Sequence, residues 1–170
     1  MPEDPYRVPP GAVASRSTMG AALDVVDADE TWRALHAPLG DVPNLVDAAF
    51  TSPAAAWFFV DVALVRVALV AQLRQAPRDT GAGGRDATEQ GARVDDVVGD
   101  LVGRSPAFRA LWSGPRVAHR TSSAYEVRHP AVGRLRLRRR TSAGPDGSWH
   151  EHLLCPPCDA TALSLLLLER

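Results

Sequence analysis

Apolar residues recur at helical spacing in the first part of the chain, a pattern that predicts amphipathic helices. Two of these segments begin with a serine followed by a proline, at Ser52-Pro53 and Ser105-Pro106. Such a pair caps a helix and fills its first turn without the loss of a hydrogen bond. The predicted helices span Asp27–Leu35, Asn44–Phe50, Pro53–Gln75, Arg93–Gly103 and Ser105–Trp112.

After Gly114-Pro115 the apolar period changes from that of a helix to that of a strand,. The clearest segment is Gly133–Arg140, where leucines alternate with Arg134, Arg136 and Arg138. The predicted strands span Ala21–Val26, Arg116–Arg120, Ala124–Val127, Gly133–Arg140 and Trp149–Leu154, and a closing helix follows from Asp159 through Leu168. Helices followed by an antiparallel meander predict an α+β domain, with helices on one sheet face and an arginine-rich face in water.

With 170 residues, the chain is long enough for one domain with a buried core. Residues 1–20 are rich in Pro, Gly and Ser without periodicity, which predicts disorder, so the folded domain is expected at residues 21–170. The start lacks the basic and apolar regions of a signal peptide, and only two cysteines occur, which indicates a cytoplasmic protein. Asp61 and Arg66 lie inside the long apolar segment and favour a buried helix over a membrane span.

The net charge of −1 argues against a protein that mainly coats nucleic acid. The arginines of Arg134–Arg140 are interpreted as the exposed face of a strand. His129 has no nucleophile or carboxylate at a recognisable spacing, and no phosphate-binding glycine loop is present. The sequence therefore supports neither an enzyme nor a cofactor.

A cluster near the end of the chain invites two other interpretations. Cys155-Pro-Pro-Cys158 resembles a redox motif, but too few residues follow it for a thioredoxin-like fold,. His150, His152, Cys155 and Cys158 together have the chemistry of tetrahedral zinc ligands. Structural zinc sites usually join separated segments, whereas these four residues lie in one short segment. The two histidines are therefore also interpretable as solvent-facing residues and the two cysteines as small residues in a turn. A small zinc-binding protein remains an alternative.

Four short motifs occur in a fixed order: Asn44-Leu45-x-x-x-x-Phe50, Thr51-Ser52-Pro53, Ser105-Pro106-x-Phe108-Arg109-x-Leu111-Trp112 and His129-Pro130-x-Val132-Gly133. In this order they resemble the ligand-binding half of the MmyB-like family of bacterial transcription regulators. The resemblance implies a PAS-like fold, an antiparallel sheet backed by helices around an apolar pocket. It also implies a small apolar ligand, plausibly a fatty acid, whose binding is relayed to a helix-turn-helix. Residues 1–20 are not expected to form that helix-turn-helix, and the family's first strand, expected before Leu23, is not recognisable in the pattern.

Taken with the periodicity, the resemblance places a pocket between the Pro53–Gln75 helix, the Ser105–Trp112 helix and the inner sheet face. The residues expected to bind the ligand are Trp57, Val65, Leu69, Phe108, Trp112, Tyr125, Val127, Leu135, Leu137 and Leu153. DNA contact is expected only through a missing or partner helix-turn-helix. The alternative function is a stand-alone interaction module, a homodimer or a partner of an intact paralogue.

Overall fold

The computed structural model describes residues 13–76 and 85–155, and the side chains within them except those of 13, 14 and 85–88. These residues form five strands and six α-helices. The strands are β1 (Val13–Met19), β2 (Val25–Ala28), β3 (Ser122–His129), β4 (Gly133–Ala143) and β5 (Trp149–Cys155). The helices are α1 (Glu30–His36), α2 (Leu45–Thr51), α3 (Ala55–Phe58), α4 (Val62–Leu73), α5 (Arg85–Arg104) and α6 (Pro106–Ser113).

The strands form one antiparallel sheet in the order β2-β1-β5-β4-β3. Helices pack against one face of this sheet, so the predicted α+β class is confirmed. Among the described residues, none of the helices combines the length and the apolar character that a bilayer span requires.

Strand β1 corrects the prediction that residues 1–20 are disordered. Each of its residues from Val13 to Met19 pairs with a residue of β5. Ser15 and Ser17 occupy inward positions of this strand and are buried. Because these inward residues are polar, the sequence shows no alternation of apolar residues that would predict a strand. The predicted first strand, Ala21–Val26, begins too early, since β2 starts at Val25. Residues 1–12 lie outside the described residues.

The helix predicted at Pro53–Gln75 is interrupted. Phe59 forms a β-bridge with Val127, and the N–H of Val60 donates to the Glu126 carbonyl at 3.0 Å. The helix resumes because Asp61 accepts a hydrogen bond from the N–H of Leu64 at 2.9 Å, as an N-cap residue does. Pairing with the edge of β3 and a new cap therefore separate α3 from α4.

The predicted starts of α2 and α6 agree with the structure, whereas α3 begins at Ala55 and not at Pro53, and α5 begins at Arg85 and not at Arg93. Asn44 caps α2 through a 2.9 Å bond from the Asp47 N–H, and Ser105 caps α6 through a 3.2 Å bond from the Phe108 N–H. The predicted strand at Arg116–Arg120 is wrong, because that segment has no regular structure. The closing helix predicted from Asp159 lies outside the described residues.

Candidate functional site: the layer between α4 and the sheet

The inner face of the sheet, which carries the helices, changes from apolar to polar along its strands. At one end Tyr125 pairs with Leu137, and both side chains are buried. Farther along β4, Arg139 and Thr141 occupy the same face by the two-residue alternation and are buried as well,. Along β4, the inner face is therefore lined by hydrocarbon near the start of the strand and by polar groups farther on.

An ion pair between Arg139 and Glu151 lies at the polar end, with side-chain exposures of 3% and 1%. Glu151 also accepts hydrogen bonds from the Trp32 indole at 3.0 Å and from the Ser17 hydroxyl at 3.3 Å. Burial acts to raise the pKa of Glu151, but the Arg139 charge and the Trp32 bond outweigh it, so the pKa lies below its ordinary value,. The carboxylate is thus ionised and satisfied inside the fold.

Helix α4 follows the same change from apolar to polar. Val65, Leu69 and Gln72 are buried and lie on one face of the helix at spacings of four and three residues. This face turns toward the sheet, because the Arg139 guanidinium donates to Gln72 Oε1 at 2.7 Å. Val65 and Gln72 are separated by about 10 Å along the axis at about 1.5 Å per residue. We call the space between this face and the inner sheet face the helix–sheet layer.

A second buried polar pair joins α1 to β3. His36 Nδ1 bonds the Trp32 carbonyl and Nε2 bonds the Tyr125 hydroxyl, each at 2.8 Å. Burial lowers the pKa of His36 to about 4 and raises that of Tyr125. Both groups are therefore neutral at pH 7, and they add polarity to the layer without adding charge.

The structure brings most of the predicted ligand-binding residues into this layer. Seven of them are buried on α4 or on inward positions of the sheet: Val65, Leu69, Tyr125, Val127, Leu135, Leu137 and Leu153. Phe108 is buried among the helices, where its ring makes an edge contact with Phe50 at 5.1 Å. Trp112 stacks on Phe108 and lies under Arg74 of α4. These two rings contact α2 and α4, so the structure does not place α6 as a wall against the sheet.

Trp57 is placed differently from the prediction. Its side chain is 50% exposed on α3, and this helix ends at Phe58 because Phe59 adopts an extended conformation. It does not belong to the buried lining of the helix–sheet layer.

A cavity of about 260 Å³ lies between the start of α4 and edge strand β3, where the sheet residues that line it occupy outward positions. Its lining residues are Val60, Asp61, Leu64, Val65, Ala124, Glu126 and Arg134. Val65 therefore borders both the cavity and the layer. A separate cavity of about 330 Å³ lies beside α1 and includes Trp32 and His36 in its lining.

The geometry of β5 does not support the zinc cluster. His150 and His152 occupy outward positions, whereas Cys155 is an inward, buried position three residues beyond His152. The three side chains cannot converge on one ion because they lie on opposite sheet faces. Cys158 lies outside the described residues, and within the described ranges no three His, Cys, Asp or Glu are grouped to hold a metal.

The polar residues of the layer were missed in the sequence, although a signal for them exists. Continuing the alternation of Leu135 and Leu137 puts Arg139 on the inner face, and that of Trp149 and Leu153 puts Glu151 there. Gln72 has no comparable signal, because its role depends on the register of α4 over β4.

One family model matches residues 17–168 of the chain, and its description is MmyB-like transcription regulator ligand binding domain. No curated protein sequence shows a significant match. The matched range includes α4 and the residues of β1, β4 and β5 that form the polar end of the layer.

Proposed function

The chain belongs to the MmyB-like transcription regulator ligand-binding domain family, and from this premise we propose that it senses a small, fatty-acid-like apolar molecule held in the helix–sheet layer. The observation that carries the proposal is the matched polarity of the two walls. Val65 and Leu69 on α4 face the apolar rows of β3 and β4, while Gln72 meets Arg139. An elongated molecule with a hydrocarbon body and one polar end has the same pattern.

The energetics of an apolar chain suit this layer. Burial of about twelve methylenes would contribute roughly 10 kcal/mol at about 0.8 kcal/mol each. Part of that gain is offset by the lost freedom of the ligand and by side chains that must move apart. Val65 also lines the cavity at the edge of β3, and we propose that such a chain enters from this edge.

Native mass spectrometry of protein purified without detergent tests the proposal. We expect a bound apolar molecule, and we expect its extraction to lower the melting temperature, because a ligand that binds only the folded state stabilises it. Added fatty acid, amide or ester of one chain length should restore the melting temperature. A protein that carries no such molecule, and whose melting temperature none of these additions changes, would contradict the proposed function and favour an interaction module.

A further inference from the structure

Two buried side chains at the polar end of the layer have hydrogen-bond donors without a partner. They are Gln72 Nε2 and Trp149 Nε1, on side chains with 0% and 6% exposure. His119 Nδ1 is also buried and unpartnered in this part of the described structure. An unsatisfied buried polar group costs about 1–3 kcal/mol, so an acceptor bound in this region would offset that cost.

The orientation of the Gln72 amide is fixed by its neighbour. A guanidinium has only donors, so the atom that faces Arg139 must be the amide oxygen,. The Nε2 group is therefore the unpaired end and cannot be exchanged with the oxygen by a flip. The indole of Trp149 can only donate, so its unsatisfied nitrogen also requires an acceptor.

The three groups belong to one region of the layer. Trp149 lies two residues before Glu151 on the inner side of β5, and its ring is 5.2 Å from that of His119. His119 Nε2 lies 3.2 Å from the hydroxyl of Thr141, which pairs with Glu151 across the sheet. Burial and the nearby Arg139 charge lower the pKa of His119. Since His119 is partly exposed, it connects this region to solvent.

We propose that Gln72 and Trp149, with His119 beside them, form a subsite for the acceptor oxygen of a neutral headgroup, such as the carbonyl of an amide, ester or lactone. The inference rests on the proposed function and names the class of ligand. The charge balance excludes a carboxylate as the preferred head. Glu151 already neutralises Arg139, so a second carboxylate would bring an uncompensated charge into the core.

Matched ligands test the headgroup. Calorimetry at pH 7 would compare a fatty acid, its primary amide, its methyl ester and the corresponding alkane, all of one chain length. We expect the amide and the ester to bind at least about tenfold more tightly than the alkane and the ionised acid, since each satisfied donor contributes about 1 kcal/mol or more.

Two variants test the residues. Trp149→Phe removes one donor and leaves the Arg139–Glu151 pair intact, whereas Gln72→Leu removes the other donor together with the acceptor of Arg139. Each should reduce the preference for the amide over the alkane about fivefold, the equivalent of about 1 kcal/mol for one hydrogen bond, with alkane binding unchanged. The matched controls are Gln75→Leu, at an exposed position in the turn after α4, and Trp57→Phe.

The outcomes separate this inference from the proposed function. If none of the four compounds binds, the proposed function itself fails. If the alkane binds as tightly as the amide, an internal water accepts the hydrogen bonds of these donors. The proposed headgroup subsite is then contradicted, while the proposed apolar site is retained. Tighter binding of the ionised acid than of the amide would overturn the neutral headgroup.

Discussion

Arg139 and Glu151 form an ion pair on the inner face of the sheet, where the alternation of the sequence predicts apolar side chains. The pair does not stand alone, because Gln72 accepts from the guanidinium and Trp32 donates to the carboxylate. Two strands and two helices thus meet at one charged centre. This arrangement makes the polar end of the helix–sheet layer sensitive to any change in either partner.

Replacing Arg139 by Met should lower the free energy of unfolding by about 3–5 kcal/mol, because Glu151 is left as a buried, unpaired charge. Urea denaturation at pH 7 measures the loss. The double variant Arg139→Met/Glu151→Leu should lose less than the single one, since no charge remains buried. Arg138→Met, on the exposed face of the same strand, should stay within about 0.5 kcal/mol of the parent. A single variant as stable as this control would contradict the prediction.

The limits of the sequence as a guide are visible in the same strand. The alternation of Leu135 and Leu137 correctly predicted which face is buried, because each side chain's direction follows from the period of two. It did not predict that the Arg139 side chain would be buried. Its burial depends on bonds to Glu151 and Gln72, which are distant in sequence.

Two other elements show why local patterns failed. Strand β1 buries Ser15 and Ser17, and its serines are acceptable inside only because Asp29 and Glu151 bond them. The interruption after Phe58 follows from pairing with β3, a tertiary contact that overrides the helical periodicity,. The burial of the apolar positions was predictable, and the arrangement of the polar residues, which depends on long-range partners, was not.

The stability of the domain should depend on pH through His36. Its folded pKa of about 4 lies below the ordinary value of 6.5 because the ring is buried. Between these values the unfolded chain binds the proton more readily, so the contribution is complete above pH 6.5 and is lost as the pH falls toward 4. A shift of this size corresponds to about 3 kcal/mol at 1.36 kcal/mol per unit.

Chemical denaturation at a series of pH values checks this expectation in the parent and in His36→Gln. The variant should show a smaller loss of stability between pH 6.5 and 4, because it has no imidazole to protonate. His150→Gln, on the outer sheet face, should keep the parent's dependence. Equal slopes for the parent and His36→Gln would assign the effect to other groups.

Asp61→Ala should destabilise the fold by about 1 kcal/mol, the typical cost of removing an N-cap side chain. The substitution removes the 2.9 Å bond to the Leu64 N–H at the start of α4. Thermal or urea unfolding measures the change. Asp95→Ala, at an exposed position within α5, is the control and should change stability little. A loss no larger than that of the control would mean that pairing with β3 alone sets where α4 begins.

Val65→Trp should abolish binding of an apolar chain while the fold survives. Val65 is 6% exposed, lies on the buried face of α4 and also lines the cavity of about 260 Å³ at the edge of β3, so an indole has space into which it can extend. Overpacking typically costs about 1–3 kcal/mol, which a melting curve will detect as a lowered but cooperative transition.

Val26→Trp places the same side chain at a 70% exposed position on β2 and should leave binding unchanged. Native mass spectrometry of both variants, purified without detergent, compares the bound molecule directly. A folded Val65→Trp protein that still carries the ligand would show that the chain does not occupy the space beside α4, and the proposed position of the site would have to be abandoned.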